Sequence, residues 1–300
     1  MTEISENMEE RDVSIKTDYG QYLNNQSVLS EKRTGRFWFE QENRYVKPFQ
    51  IYGNLYYVGD SWVCVHIVDT GKGLLMFDAG SCGATAMLIQ SIWEMGFNPA
   101  DVKWIILSHG HADHFGAVNF FKKMFGTKIY MGEPDVKMFR ENPELALIQE
   151  CGNCTEKLFD VDVSIKEGDI LTFGNTEIEF HLIPGHTQGC IACFFDVTNG
   201  AEKKRVGYYG GFGFNTLQEE YLREIGDETL EARKQYHHSL ASVREQKVDI
   251  FMGNHTANVD LLNKRKYMTE HPGENPFIDS EAWKNYLDLK EKELSELEQA

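Results

Sequence analysis

The sequence predicts a layered α/β protein built of two similar halves. Three observations predict it. Short runs rich in β-branched and aromatic residues occur in both halves of the chain. Segments with apolar residues at helical spacing lie between several of them. The continuous apolar run Trp104-Ile105-Ile106-Leu107 has the texture of a strand buried on both faces, as in a sheet covered by helices.

The elements follow in order. Residues 1–30 are polar and unpatterned and read as an N-terminal arm. Residues 51–58 and 62–68 read as strands. Asp69-Thr70-Gly71-Lys72-Gly73 is a turn signal, and a strand follows over 74–77. Ser81 is placed to cap a helix with the apolar face Ala84, Met87, Leu88, Ile92 and Met95, ended by Gly96. After the 104–107 strand, Ala117, Phe120, Phe121 and Met124 mark a second helix, and Lys128-Ile129-Tyr130 a short strand. Residues 133–158 read as a helical insertion. Strands return at 170–173, 178–183, 191–195 and 205–209. A charged amphipathic pattern over 216–246 predicts a second helical insertion. A buried strand at 248–252 and a helix at 281–298 close the chain. Residues 31–300 read as one domain.

Composition excludes several function classes. The 300 residues suffice for a real core, because the buried fraction reaches roughly three-quarters near this length. Hydrophobic residues at 41% and charged residues at 26% exclude a disordered or fibrous chain. The 30 Lys and Arg against 47 Asp and Glu leave a net charge of −17. That balance opposes a phosphate-backbone partner and an anionic lipid surface. The expected partner is a small-molecule substrate, with no nucleic acid and no membrane. No apolar stretch reaches the roughly 18 residues of a transmembrane helix. The first 30 residues carry six acids, two bases and no apolar run, so no secretory signal is read and the cytoplasm is the expected location. The sequence is silent on oligomeric state.

Six cysteines in this length do not make a disulfide scaffold. Cys151 with Cys154 and Cys190 with Cys193 are spaced like halves of a structural zinc site. Cys190 and Cys193, however, border a strand-like run, where residues three apart face opposite ways. Free thiols are the plain alternative, and a Cys151–Cys154 disulfide is the third.

The chemistry concentrates in His109-Gly110-His111-Ala112-Asp113-His114. Four potential metal ligands fall within six residues, directly after the buried strand. A strand end opening into a loop is where an α/β sheet places its site. Imidazoles with one carboxylate suit zinc. A merely solvated turn is a poor account, because it would collect three of the chain's ten histidines by accident. The remaining histidines have ordinary readings. His66 belongs to an apolar strand, His181 points away from His186, His237 and His238 lie on a charged helix, and His271 is in a loop.

The motif His-x-His-x-Asp-His after an apolar strand resembles the signature of the metallo-β-lactamase fold. The resemblance continues in Phe77-Asp78-Ala79-Gly80, in Pro184-Gly185-His186-Thr187-Gln188-Gly189 and in Gly253-Asn254-His255-Thr256. Pro48-Phe49, Gly53-Asn54, Tyr56-Tyr57-Val58-Gly59 and Asn275-Pro276-Phe277 look like the third subclass of metallo-β-lactamases. The similarity spans about residues 47–290. It implies a four-layer αββα sandwich and two zinc ions. Carried over, His109, His111 and His186 hold one zinc, and Asp113, His114 and His255 hold the other. Asp78 becomes a candidate for the carboxylate that metal-binding imidazoles lean on.

One departure is informative. Many hydrolases of this fold bring a bridging Asp after the later strand. Here that strand runs Val206-Gly207-Tyr208-Tyr209-Gly210-Gly211, without an acid or Cys at its end. The third lactamase subclass lacks this ligand too. His111 also separates the chain from diiron relatives, which carry Glu there.

The resemblance implies a hydroxide shared by the zincs as nucleophile, with Asp113 orienting it. No Gly-x-Ser-x-Gly elbow offers a rival nucleophile. The first expectation is a hydrolase of cyclic amides, with β-lactams the leading case. The second is a cytoplasmic lactone or ester hydrolase. A nucleic-acid-processing or non-catalytic scaffold member is opposed by the acidity and by the complete ligand set. Phe212, Phe214 and Asn215 follow the strand that lacks the acid and are the candidate substrate contacts. Trp38 and Tyr57 rank behind them.

Overall fold

The computed structural model describes residues 41–148 and 157–299. The expected arm over 1–30, Trp38 and the Cys151/Cys154 pair lie outside the described residues. The first sheet holds β1 (Phe49–Tyr52), β2 (Leu55–Tyr57), β3 (His66–Asp69), β4 (Leu74–Phe77), β5 (Val102–Ile106), β6 (Lys128–Gly132) and β7 (Val163–Ile165), side by side in chain order. Its strands are antiparallel from β1 to β4 and parallel from β4 to β7.

The second sheet holds β8 (Ile170–Phe173), β9 (Thr176–Leu182), β10 (Ile191–Asn199), β11 (Glu202–Tyr209) and β12 (Ile250–Gly253). Its order is β12-β11-β10-β9-β8, and β11 with β12 is its parallel pair. The helices are α1 (Thr85–Glu94), α2 (Val118–Phe125), α3 (Glu133–Glu141), α4 (Glu219–Glu224), α5 (Glu231–Ser242), α6 (Leu261–Glu270) and α7 (Ala282–Gln299). Among the described residues, no helix is long and apolar enough to cross a membrane.

Three apolar interfaces hold the four layers together. Between the sheets, Phe77 of β4 stacks on Phe195 of β10 at 5.3 Å and leans on Tyr208 at 5.2 Å. Outside the first sheet, Leu88, Ile92, Val118 and Phe121 of α1 and α2 cover Met76, Ile105 and Ile129. Ile105 faces the helices while Ile106 faces the other sheet. That is why β5 reads as a continuous apolar run. Beyond the second sheet, Trp283 and Tyr286 of α7 pack on Phe194 and Phe251. The result is the four-layer αββα sandwich that the resemblance implied.

Five of the expected elements take a different form, and β7 and α6 appear where no element was expected. The run 51–58 is a hairpin rather than one strand, because Gly53-Asn54 turns the chain. Gly53 has a φ of +52°, and a Cβ there would lie 2.0 Å from the Thr198 carbonyl oxygen. Residues 62–65 leave the sheet, and Val63 pairs with His255 instead. Ser81 does not cap α1; Ala84 occupies that position, and the Ser81 hydroxyl accepts from Arg44 at 3.1 Å. On α2, Phe120 and Met124 are exposed, because they lie one face over from the buried Val118 and Phe121. The 216–246 pattern breaks into a 3-10 turn over Asn215–Leu217, the short α4 and α5, with Gly226 at positive φ between the two helices.

Candidate metal centre

The ligand motifs sit where strand ends converge. β5 runs into the His109 loop, β9 leads to His186, and β12 ends one residue before Asn254-His255. These termini share one rim of the sandwich, as the strand-end rule for α/β sheets requires. The ligand atoms of His109, His111 and His186 lie within 4.8 Å of one another. So do those of His109, Asp113 and His114. His114 Nε2 is 3.2 Å from His255 Nε2. The Asp113 carboxylate is 3.5 Å from His114 Nε2 and 3.7 Å from His255 Nε2. All six candidate ligands named from the sequence therefore meet in one cluster.

The outer nitrogens explain why this cluster fits a cation. His114 Nδ1 bonds the Asp78 carboxylate at 2.8 Å, and His186 Nδ1 bonds the Gly213 carbonyl at 2.8 Å. His255 Nδ1 faces the Trp62 carbonyl at 3.3 Å. Carboxylates and carbonyls only accept, so each Nδ1 carries the proton. The Nε2 lone pairs of His114, His186 and His255 then turn inward. Bare lone pairs of His114 and His255 only 3.2 Å apart repel unless a proton or a metal lies between them. His109 Nδ1 meets the Ser108 hydroxyl at 2.9 Å. A donor set of imidazoles and one carboxylate matches zinc chemistry.

Electrostatics differ across the cluster. Burial, reinforced by the neighbouring imidazoles, drives the pKa of His109 well below the ordinary histidine value. Burial and His114 push His255 down to about 3. For His114, burial opposes the charge, but Asp113 and Asp78 outweigh it and hold its pKa above the ordinary value. Asp78 itself is fully buried and also accepts from the Tyr208 hydroxyl and the Ser108 backbone N–H.

The end of β11 shows why no acid follows it. A Cβ on Gly210 would lie 2.7 Å from the Ile191 carbonyl oxygen and 2.8 Å from that of Ser108. The position next to the cluster therefore has no room for a side chain of any kind.

The substrate-contact candidates separate. The Phe212 ring lies 5.3 Å from that of His255, at the edge of the cluster. Phe214 packs instead in the core, 5.4 Å from the Tyr236 ring. Asn215 opens the 3-10 turn whose Thr216 hydroxyl reaches His186. Tyr57 is wholly buried between the sheets, away from the cluster.

The other described histidines stay outside the cluster. His66 is buried, and burial lowers its pKa to about 3. His181 lies between Glu167 and Glu179. His237 is not simply solvated, because Glu291 and Glu298 of α7 both bind it. His238 is exposed, and His271 stacks on Tyr267 at 4.0 Å. Cys190 and Cys193 are buried free thiols.

Sequence reasoning missed Asp135. It is fully buried in the first turn of α3. Its carboxylate accepts from the Gly110 N–H at 2.7 Å, the Gly189 N–H at 2.8 Å and the Thr187 hydroxyl at 2.7 Å. One side chain thus ties the loop of His109 and His111 to the loop of His186. Burial raises its pKa to about 6, against the pull of these three donors. An acid in a helix's first turn is ordinary, so nothing in the sequence marks it.

A cavity of about 360 Å³ opens beside His111 and His186. Its walls come from α3 and the turn after it on one side, and from α4 and the start of α5 on the other.

An αββα sandwich with a histidine–aspartate cluster on its strand-end rim defines a class of metal-binding hydrolases, and comparison with known proteins agrees. The family model of the metallo-β-lactamase superfamily matches residues 62–199. Hydroxyacylglutathione hydrolase GloC of Haemophilus influenzae is 34% identical over 151 residues, which cover 50% of this chain and 68% of that protein. BJP-1, a subclass B3 metallo-β-lactamase of Bradyrhizobium japonicum, has a TM-score of 0.73 at 27% identity, covering 87% of this chain and 98% of that one. Metallo-β-lactamase GOB-18 from Elizabethkingia meningoseptica has a TM-score of 0.74 at 25% identity, covering 87% and 95%. The chain belongs to the metallo-β-lactamase superfamily, and it is a hydrolase.

Proposed function

We propose that the protein is a dinuclear zinc hydrolase that opens a carbonyl-containing ring of a small molecule, with β-lactam amides the favoured substrates. The observation that carries this reading is the convergence of five imidazoles and Asp113 at one rim. His109, His111 and His186 would hold one zinc, and Asp113, His114 and His255 the other. Bound there, zinc supplies a water acidic enough to ionise near neutral pH and an electrophile for the carbonyl oxygen.

The chain's own residues do the rest. Asp113 keeps about 20% of its side chain exposed, so its carboxylate can take up a proton at the cluster's open face. Asp78 fixes the tautomer of His114, and the Gly213 carbonyl fixes that of His186. Phe212 shields the His255 side from water. The subclass B3 relatives and the absent side chain at Gly210 support amide hydrolysis.

A second reading keeps the centre and changes the substrate to a lactone, ester or thioester. It is favoured by the hydroxyacylglutathione hydrolase relative. A panel of nitrocefin, penicillins, lactones and S-lactoylglutathione on the zinc-loaded protein separates the two. Activity on the β-lactams is the expected result. Inactivity on every β-lactam at high enzyme concentration sinks the first reading. Zinc per chain tests the centre itself, and about two is expected.

A further inference from the structure

The cavity beside His111 and His186 has walls that match one kind of guest. At about 360 Å³ it falls within the usual range of ligand pockets, roughly 300 to 1,000 Å³. Pro134, Met138 and Leu145 line one wall, and Leu222, Ile225 and Ala232 the other. Met138 and Leu145 are half-buried, and Ile225 is 43% exposed. Leu222 and Ala232 are already buried, whereas Met138, Leu145 and Ile225 face water in a concave space, where covering them gains about 25 cal/mol per Å².

Charge in the cavity points the same way. Lys137 is the one cation among the described lining residues, and it lies 3.6 Å from Glu141, which lines the same cavity. The third charged group there, Asp135, is acidic and fully engaged by its three donors. Tyr221, also in the lining, has its pKa raised to about 12 by burial and then by Glu224 and Glu144. Apart from the metal centre itself, the walls offer an anionic guest one cation that is already paired with an acid.

We propose that this cavity receives an uncharged, apolar arm of the substrate and discriminates against anionic arms. The location rests on the hydrolase reading above, whereas the chemistry of the arm rests on the walls alone. A glutathione thioester, whose arm carries two carboxylates, is therefore a poor substrate. A ring bearing a neutral alkyl or acyl substituent is a good one.

The test begins with binding, so that it does not depend on turnover. Titration calorimetry of the protein as purified with propanamide through octanamide should tighten two- to fourfold per added methylene, the effect of burying about 0.8 kcal/mol each. The double variant Leu145→Asp, Ile225→Asp should flatten that series. S-Methylglutathione, whose blocked sulfur is a far weaker metal ligand than a thiolate, should bind more weakly than octanamide. A flat series in the unaltered protein, or S-methylglutathione binding as tightly as octanamide, overturns the proposal. The kinetic counterpart is kcat/KM across penicillins with acyl arms from acetyl to octanoyl, which should rise with length. If the amides bind as expected and no penicillin or lactone is cleaved, the arm site stands and the proposed reaction falls.

Discussion

The two ends of the histidine cluster are braced by different chemistry. At one end, His109 and His186 rest on neutral partners, the Ser108 hydroxyl and the Gly213 carbonyl. At the other, His114 rests on the buried carboxylate of Asp78 and stands beside Asp113. The consequence is visible in the imidazoles. His114 is held above the ordinary histidine pKa because the two carboxylates outweigh its burial, whereas burial wins at His109. Charge therefore tunes one end and geometry fixes the other. A carboxylate behind an imidazole makes it a more basic ligand, so the His114 end should bind its metal the more strongly for its partner.

The most damaging test of this division removes a proposed ligand from each end. His111→Ala and Asp113→Ala should each cut activity on the order of a thousandfold, equivalent to losing several kcal/mol of charge stabilisation. Each should also lower the metal content by about one ion per chain, read by atomic emission. If either variant loses both ions or neither, the cluster does not divide as assigned.

Asp135 complicates the neutral end in a useful way. The direct partners there are uncharged, yet a buried carboxylate one step further out joins both loops. Asp135→Ala leaves two backbone N–H groups and one hydroxyl without their acceptor. Each such group costs about 1–3 kcal/mol when buried, so a loss of about 3 kcal/mol in denaturant unfolding is expected. The pH dependence has a definite sign. The folded pKa, about 6, lies above the ordinary 3.8. The folded protein then holds the proton more tightly than the unfolded chain does. Its contribution is fully present below about 3.8 and is lost as pH rises through about 6. The stability of the metal-free protein relative to Asp135→Asn should fall across that window and level off above it. A difference that rises with pH would mean that the carboxylate stays ionised throughout.

Next in size is Asp78→Asn. Outer carboxylates on metal-binding histidines are worth about 10- to 100-fold in metal affinity. Chelator competition should show that loss at one of two sites, leaving the other nearly unchanged. Equal weakening at both sites would mean that Asp78 supports the whole rim, through Ser108 and Tyr208 as well as His114.

The comparison also separates what the sequence exposes from what it hides. The candidate ligands from His109 to His114 are legible because four of them fall within six residues directly after a buried strand. His186 and His255 are isolated residues, recognisable only through motifs shared with a family. Asp135 was not legible, because its role depends on two loops that meet it from residues 110 and 187–189. Phe214 misled for the opposite reason. It follows the strand end as a site residue would, yet its ring turns into the core against Tyr236. The swerve at 62–65 was hidden as well, since an apolar run does not reveal that Val63 will leave the sheet to meet His255.

The smallest effect makes the finest test. Ser108→Ala removes the hydroxyl beside His109 Nδ1 but keeps the backbone N–H that Asp78 accepts. A neutral hydrogen bond contributes only about 0.5–1.5 kcal/mol net, so the change in metal affinity should stay at or below about tenfold. Asp78→Asn should exceed it, because a charged acceptor is worth roughly twice a neutral one. Titrating both variants in the same chelator series gives the ratio directly. If Ser108→Ala weakens metal binding as much as Asp78→Asn does, charge is not what distinguishes the two ends. The orientation of His109 would then matter as much as the basicity of His114.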